Sequence, residues 1–339
     1  MKQLLTIISA CILFSACNRD HVGPQRVNEQ HTTVDTDQKV FLVNEGNFQW
    51  GNASISAYNP VEFTLQHQIF SSTNNNIPLG DVAQDLQLYK DRYYVVMNNS
   101  GMVRVADTNW QLIGNIEDLQ TPRYIAFADD HAFVTELYAK KLWILNLNQM
   151  QVEKALDMPT SSFHIANWNS KIVVGLTNQI AIVNPDAQEI DTLITLSRGV
   201  ERMQEDKNGK LWILCSSGSS GSHLYQLQED WSVSSHWTFP PNSSTSYLEM
   251  NSTKDTLIFV MPDGIYHQAV SANILDPTQI VSLNDQNVYG FSVNPEDGDL
   301  YLMDALDFNQ ASDVYRYSKT GELLHQFKGG VITNAVRFF

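Results

Sequence analysis

Apolar residues in this chain come in short unbroken runs, with almost no helical periodicity anywhere. Tyr93 to Met97, His131 to Thr135, Ile172 to Gly175, Leu211 to Leu214, Leu257 to Val260 and Leu300 to Met303 are such runs. Their length and the turn signals between them predict strongly apolar β-strands. Each run sits in the same phrase: an opening strand, a polar turn, the apolar strand, a loop, then a strand ending in aspartate or asparagine. One copy reads Asp85 to Tyr89, turn Lys90 to Arg92, Tyr93 to Met97, a loop, then Met102 to Ala106 and Asp107. Opening strands begin near Asp81, Thr121, Ser161, Val200, Thr245 and Asn287, in steps of 40, 40, 39, 45 and 42 residues. Four-stranded units at one such period predict a β-propeller. A stack of sandwiches would not keep one phrase and one period.

The two ends set the number of blades. Val40-Phe41-Leu42-Val43 matches the second strand of a unit and has no opening strand before it. Asn334 to Phe339 matches an opening strand with nothing after it. Joined, they complete a seventh unit. The expectation is an all-β, seven-bladed propeller of four-stranded blades over residues 40–339. The N- and C-terminal strands would share one blade and remove the open sheet edges.

In such a ring, the loops between strands two and three and the links between blades share one face. The hairpins share the other face and carry turn chemistry: Lys90-Asp91-Arg92, Asp129-Asp130, Asn208-Gly209 and Asp297-Gly298. The first face carries long aromatic loops that hold Phe48, Trp50, Tyr138, Asp304 and Phe308. Its links add Arg123, Tyr124, His164, Arg202, Tyr247 and Tyr289. A rigid ring with adaptable loops on one face is a common design for recognition, so these eleven residues are the candidate ligand site. Other readings stand beside that one. A tyrosine opening an inner strand can pack between blades, and Arg123 and Arg202 can line an anion-binding pore or pair with Asp81, Asp85 or Glu201. Trp143 and Trp212, inside apolar strands, are expected in the core.

Composition narrows the ligand. Twenty-one basic residues against 37 acidic ones give a net charge of −16, which would repel a phosphate backbone, so no nucleic-acid partner is expected. His164 and His223 have no partner at metal-ligand spacing, and no metal or cofactor is expected. Asn294 to Asp299 has the composition of a calcium loop but lacks its ligand spacing, and reads as a hairpin turn. There is no Gly-x-Ser-x-Gly elbow, no His-Glu-x-x-His and no phosphate-binding glycine loop, so no catalytic residue is assigned.

The N-terminus reads as an export signal. Lys2 precedes an apolar stretch from Leu4 to Phe14, too short to span a bilayer comfortably, and then Ser15-Ala16-Cys17. Small residues before a cysteine match a bacterial lipobox, with Phe14 where leucine is usual. Residues 1–16 are expected to be removed and Cys17 to be lipidated. Two acyl chains hold a protein stably, at roughly 0.8 kcal/mol per buried CH₂. Residues 17–39 then read as a polar tether. The mature chain would keep Cys215 as its one free thiol, which excludes a disulfide framework.

Phe41 to Phe48 with Gly51 to Ser56, Pro122 to Ile125, Tyr301 to Asp304, Asp313 to Tyr317 and Gly321 to Leu324 make the chain resemble the YncE-like propeller lipoproteins of Bacteroidota. The resemblance implies a monomeric, lipid-anchored protein of the outer membrane, at the cell surface beside a TonB-dependent transporter. The BtuG-type members capture cobalamin, so a corrinoid is the ligand that the resemblance favours. A protein-interaction scaffold is the alternative, and a lactonase- or lyase-type enzyme is the third reading.

Overall fold

The computed structural model describes residues 40–216, 221–241 and 243–339. The expected signal peptide, Cys17 and the tether lie outside the described residues.

The chain forms seven four-stranded antiparallel sheets arranged as a ring. β1 (Val40–Asn44), β2 (Ser54–Asn59) and β3 (Thr64–Gln66) come first, followed by the short helix α1 (Ile69–Thr73). The first complete blade has β4 (Ala83–Tyr89), β5 (Arg92–Met97), β6 (Met102–Asp107) and β7 (Leu112–Ile116). The next runs from β8 (Pro122–Ala128) and β9 (His131–Glu136) through β10 (Lys141–Asn146) to β11 (Gln151–Asp157). Two more run from β12 (Ser162–Trp168) to β15 (Glu189–Thr195), and from β16 (Gly199–Glu205) to β19 (Val233–Thr238). The last complete blades run from β20 (Leu248–Met250) to β23 (Thr278–Ser282), and from β24 (Val288–Val293) to β27 (Leu323–Val331). β28 (Thr333–Phe338) then pairs antiparallel with β1, with Leu42 opposite Val336 and Val40 opposite Phe338. The ring is therefore closed by the two ends of the chain, as the unmatched terminal strands predict.

The unbroken apolar runs follow from the packing. In β5, Tyr93, Val95 and Met97 face the blade before, while Tyr94 and Val96 face the blade after. A strand held between two neighbours has no polar face, so alternation disappears. Seven apolar clusters result among the described residues, each shared by two neighbouring blades. Each fully buried Val, Leu, Ile or Phe side chain contributes about 1.5–3 kcal/mol. α1 inserts Ile69 and Phe70 into the first of these clusters.

The hairpin turns differ in one respect from the sequence reading. A two-residue type I′ turn needs positive φ at both central positions. Lys90-Asp91 (46° and 57°) and Asn169-Ser170 (49° and 57°) meet this without glycine. At Asn208-Gly209 and Asp297-Gly298 only the glycine is left-handed, at 74° and 83°. The first of these turns is longer and is held by Asp206, whose Oδ1 accepts the backbone N–H groups of Asn208 and Lys210. Trp212 is fully buried as expected and donates its indole N–H to Asp206. Trp143 is only half-buried: it packs from the outside and donates to Glu136 at 3.0 Å.

Candidate functional site

The opening strands line the axis of the ring, and a bulge sets what they present to it. The ladder slips at Ala83/Asp85, Pro122/Ile125, Ser162/Ile165, Val200/Arg202 and Val288/Gly290, and between β1 and β28 at Val43/Asn44. Each slip leaves an unpaired residue and re-aims a side chain. Just after it, an apolar residue faces the preceding blade; Leu86, Ile125, Ile165, Met203, Phe291 and Val336 do so, and Leu248, at the start of a ladder without a slip, holds the equivalent position. The residue immediately before it is Asp85, Tyr124, His164, Arg202, Tyr247, Gly290 or Ala335. Where the two preceding side chains both face inward, as in Arg123-Tyr124 and Glu201-Arg202, one strand contributes a pair to the channel.

These residues enclose a cavity of about 490 Å³. Six of the eleven candidate residues line it: Arg123, Tyr124, His164, Arg202, Tyr247 and Tyr289. They stand at the starts of the inner strands, so the cavity lies toward the end of the channel that the loops and blade links surround. Phe48, Trp50 and Phe308 stand on adjacent blades at that rim, 62%, 63% and 39% exposed. Asn47 ties two of these loops by donating to the Phe308 carbonyl at 2.7 Å, and the Phe308 ring meets Tyr289 edge-on at 5.3 Å. Tyr138 is exposed two blades away on the same face. Asp304 does not line the cavity. It is buried, and its Oδ1 accepts the backbone N–H groups of Asn287 and Leu306, which pins a blade link.

Several cavity residues were not singled out from the sequence, among them Glu45, Glu249, Asn334 and Arg337. The signal for Glu249 and Arg337 lay in the repeat: aligned on the apolar residue after the bulge, they fall in one column with Gln87 and Gln204. Arg337 makes the ion pair with Asp85 that was considered for Arg123 and Arg202, at 2.8 Å.

The charges are balanced but unevenly partnered. Glu45 accepts from the Tyr289 hydroxyl and the Asn334 amide, both at 2.9 Å. Burial still raises its pKa, an effect these hydrogen bonds and Arg123 oppose. Burial pushes Glu249 up to about 7 against the pull of Arg337 and Arg202, and Gln204 donates to it at 2.7 Å. Burial also raises Glu201. The Arg202 guanidinium lies between the Tyr124 and Tyr247 rings, 5.9 and 5.7 Å from their centres, a cation–π arrangement. Among the described residues its one hydrogen bond goes to the Glu201 carbonyl, at 2.8 Å. Arg123 lies 5.8 Å from the Tyr124 ring centre, and its Nε is buried without a partner. Burial, then Arg202 and Arg337, hold His164 well below the usual histidine range, so its imidazole is neutral; its Nδ1 is also unpartnered. Among the described residues, no three His, Cys, Asp or Glu side chains gather as a metal site.

A family model described as "Domain of unknown function (DUF5074)" matches residues 38–339. No curated protein matches the sequence significantly. Solved structures share the fold at low identity. One is a quinonprotein alcohol dehydrogenase-like protein from Bacteroides thetaiotaomicron, with a TM-score of 0.73 and 15% identity over 90% of this chain and 79% of that one. A proposed 6-phosphogluconolactonase from Bacteroides fragilis gives 0.68 and 11% over 91% and 100%. A protein from Lactobacillus plantarum gives 0.68 and 12% over 89% and 99%.

Proposed function

We propose that this chain, which belongs to the DUF5074 family of unknown function, is an envelope lipoprotein that captures a solute at the loop-rich end of its channel and delivers it to a TonB-dependent transporter. The observation that carries the reading is the cavity of about 490 Å³ on the ring axis, walled by tyrosines, paired charges and unpartnered polar atoms. Ligand sites are typically concave spaces of about 300–1,000 Å³ with a few convergent polar groups. Phe48, Trp50 and Phe308 extend the surface outward with rings that can stack on a flat ligand. The lipobox-like sequence ending in Cys17 and the resemblance to YncE-like lipoproteins support the anchor and favour a corrinoid. Its macrocycle would rest on the aromatic rim and one arm would enter the cavity.

Titrating the purified protein with cyanocobalamin and with a ferric siderophore tests the ligand. Saturable binding of cyanocobalamin at micromolar concentration or below is expected; binding of neither compound removes the assignment. Labelling cells with a palmitate analogue tests the anchor, and label that persists in Cys17→Ser would disprove it.

A further inference from the structure

We infer that the solute bound in the channel carries an anionic oxygen group, a carboxylate or a phosphate, and that Arg123 and Arg202 hold it. The inference rests on the channel being the ligand site, as proposed above.

A guanidinium has five N–H donors in a fixed fork, and it cannot shed its charge. Arg123 uses none of its donors: among the described residues it has no hydrogen bond and no ion pair, and its Nε is shut off from solvent. Arg202 spends one, on a backbone carbonyl. Both guanidinium groups lie within 6 Å of the Tyr124 ring centre, so two like charges are gathered in one sector of the channel. A donor shut off from water without a partner, as Arg123 Nε is, costs free energy, and a bound oxyanion would satisfy it while meeting both positive charges.

The channel's own carboxylates attract these arginines, but among the described residues none makes a side-chain hydrogen bond or ion pair to either. Glu45 is engaged by Tyr289 and Asn334, Glu249 by Gln204, and Asp85 by Arg337. Glu201 accepts from Arg202 through its backbone carbonyl, and its carboxylate attracts Arg202 and Arg123 without a hydrogen bond or ion pair to either among the described residues. The protein as a whole carries −16, so its exterior repels anions. Two arginines held open inside an acidic ring therefore act as a filter: an anion that binds must be shaped to reach them. His164, neutral and with Nδ1 unpaired beside the Tyr124 ring, can add one uncharged hydrogen bond.

The test is a thermal-melting titration of the purified protein with inorganic phosphate, and separately with citrate, each against chloride at equal ionic strength. The His164 imidazole signals are followed by NMR in parallel. A saturable rise in melting temperature beyond that of chloride, with movement of the His164 signals, is expected. The affinity should fall at least tenfold in Arg123→Gln and in Arg202→Gln, and by less in Arg123→Lys, which keeps the charge but loses the fork. Arg123 holds no structural hydrogen bond, so its variants should melt as cooperatively as the parent. A response to phosphate alone assigns a phosphate, and a response to citrate alone assigns a carboxylate. A rise no larger than that of chloride, a rise undiminished in both glutamine variants, or binding that leaves His164 unmoved overturns the inference. Cyanocobalamin binding without any anion response sinks this inference alone and leaves solute capture standing. An anion response without cyanocobalamin binding sinks only the corrinoid assignment.

Discussion

Replacing Arg337 by alanine should loosen the seam at which the ring closes. Arg337 lies on β28, contributed by the C-terminus, and donates through Nη2 at 2.8 Å and Nε at 3.3 Å to Asp85 on β4 of the next blade. The Asp85 side chain is 2% exposed and that of Arg337 25%. Removing one partner of a fully buried ion pair costs about 3–5 kcal/mol, because the other charge is left stranded. Two features reduce that figure here: Arg337 is partly solvated, and Asp85 keeps the backbone N–H of Leu86 at 2.9 Å. The expected loss is about 2–3 kcal/mol, roughly 4–6 °C in melting temperature for a chain of this size. Calorimetry on wild type, Arg337→Ala, Asp85→Asn and the double variant would measure it. The double variant should be more stable than the sum of the singles predicts, by about 1 kcal/mol or more. If Arg337→Ala costs less than about 0.5 kcal/mol, or if the two changes simply add, the pair does not hold the seam.

Burial raises Glu249 from 4.5 to about 7, so the folded state prefers its acid form. Its contribution is complete below pH 4.5 and is lost as pH rises through 7, at most about 3 kcal/mol in all. Glu249→Gln should therefore melt higher than wild type at pH 8, with the gap closing by pH 4; a gap that does not change with pH refutes this. Gly290→Ala should destabilise by about 1–3 kcal/mol, since the new Cβ would lie 2.4 Å from the Asn334 carbonyl oxygen of β28. Wild-type urea unfolding in this variant would show that the strands can separate there. Joint replacement of Phe48 and Trp50 by alanine should change stability by less than about 0.5 kcal/mol, because both rings are mostly exposed. The same variant should weaken solute binding about tenfold by titration; unchanged affinity would remove the rim from the site.

The ring was readable because its cause is local. A strand trapped between two blades must be apolar on both sides, and such runs, spaced at one period and interrupted by turn residues, mark the blades directly. The half-units at Val40 and Asn334 then fixed the closure. α1 was not readable: five residues give no helical period, and Phe70 and Ile69 look like any other apolar pair until the cluster they plug is seen. Within the site, the link residues Arg123, Tyr124 and Arg202 stood out by chemical type. Glu249 and Arg337 did not, because each is one charged residue in a different repeat, and only the bulge register shows that they share a level of the channel. Asp304 attracted notice as a loop carboxylate, yet it accepts from Asn287 in the blade link and from Leu306 in its own loop. Sequence shows which acids sit in loops, but which way their oxygens face depends on backbone N–H groups that only the fold assembles.

The extra residue at the head of the inner strands separates two kinds of inheritance. The apolar position after each bulge must keep its shape, since it wedges into the neighbouring blade. Of the positions before it, Asp85 is tied into the closing seam, Gly290 has no room for a side chain, and Tyr124 and Tyr247 lean on neighbouring clusters, but Arg123, Glu201 and Arg202 belong to none of the seven. Descendants of one ring could thus change the charge at these three axial positions, and with it the cargo, in few steps, while the clusters pass on unaltered.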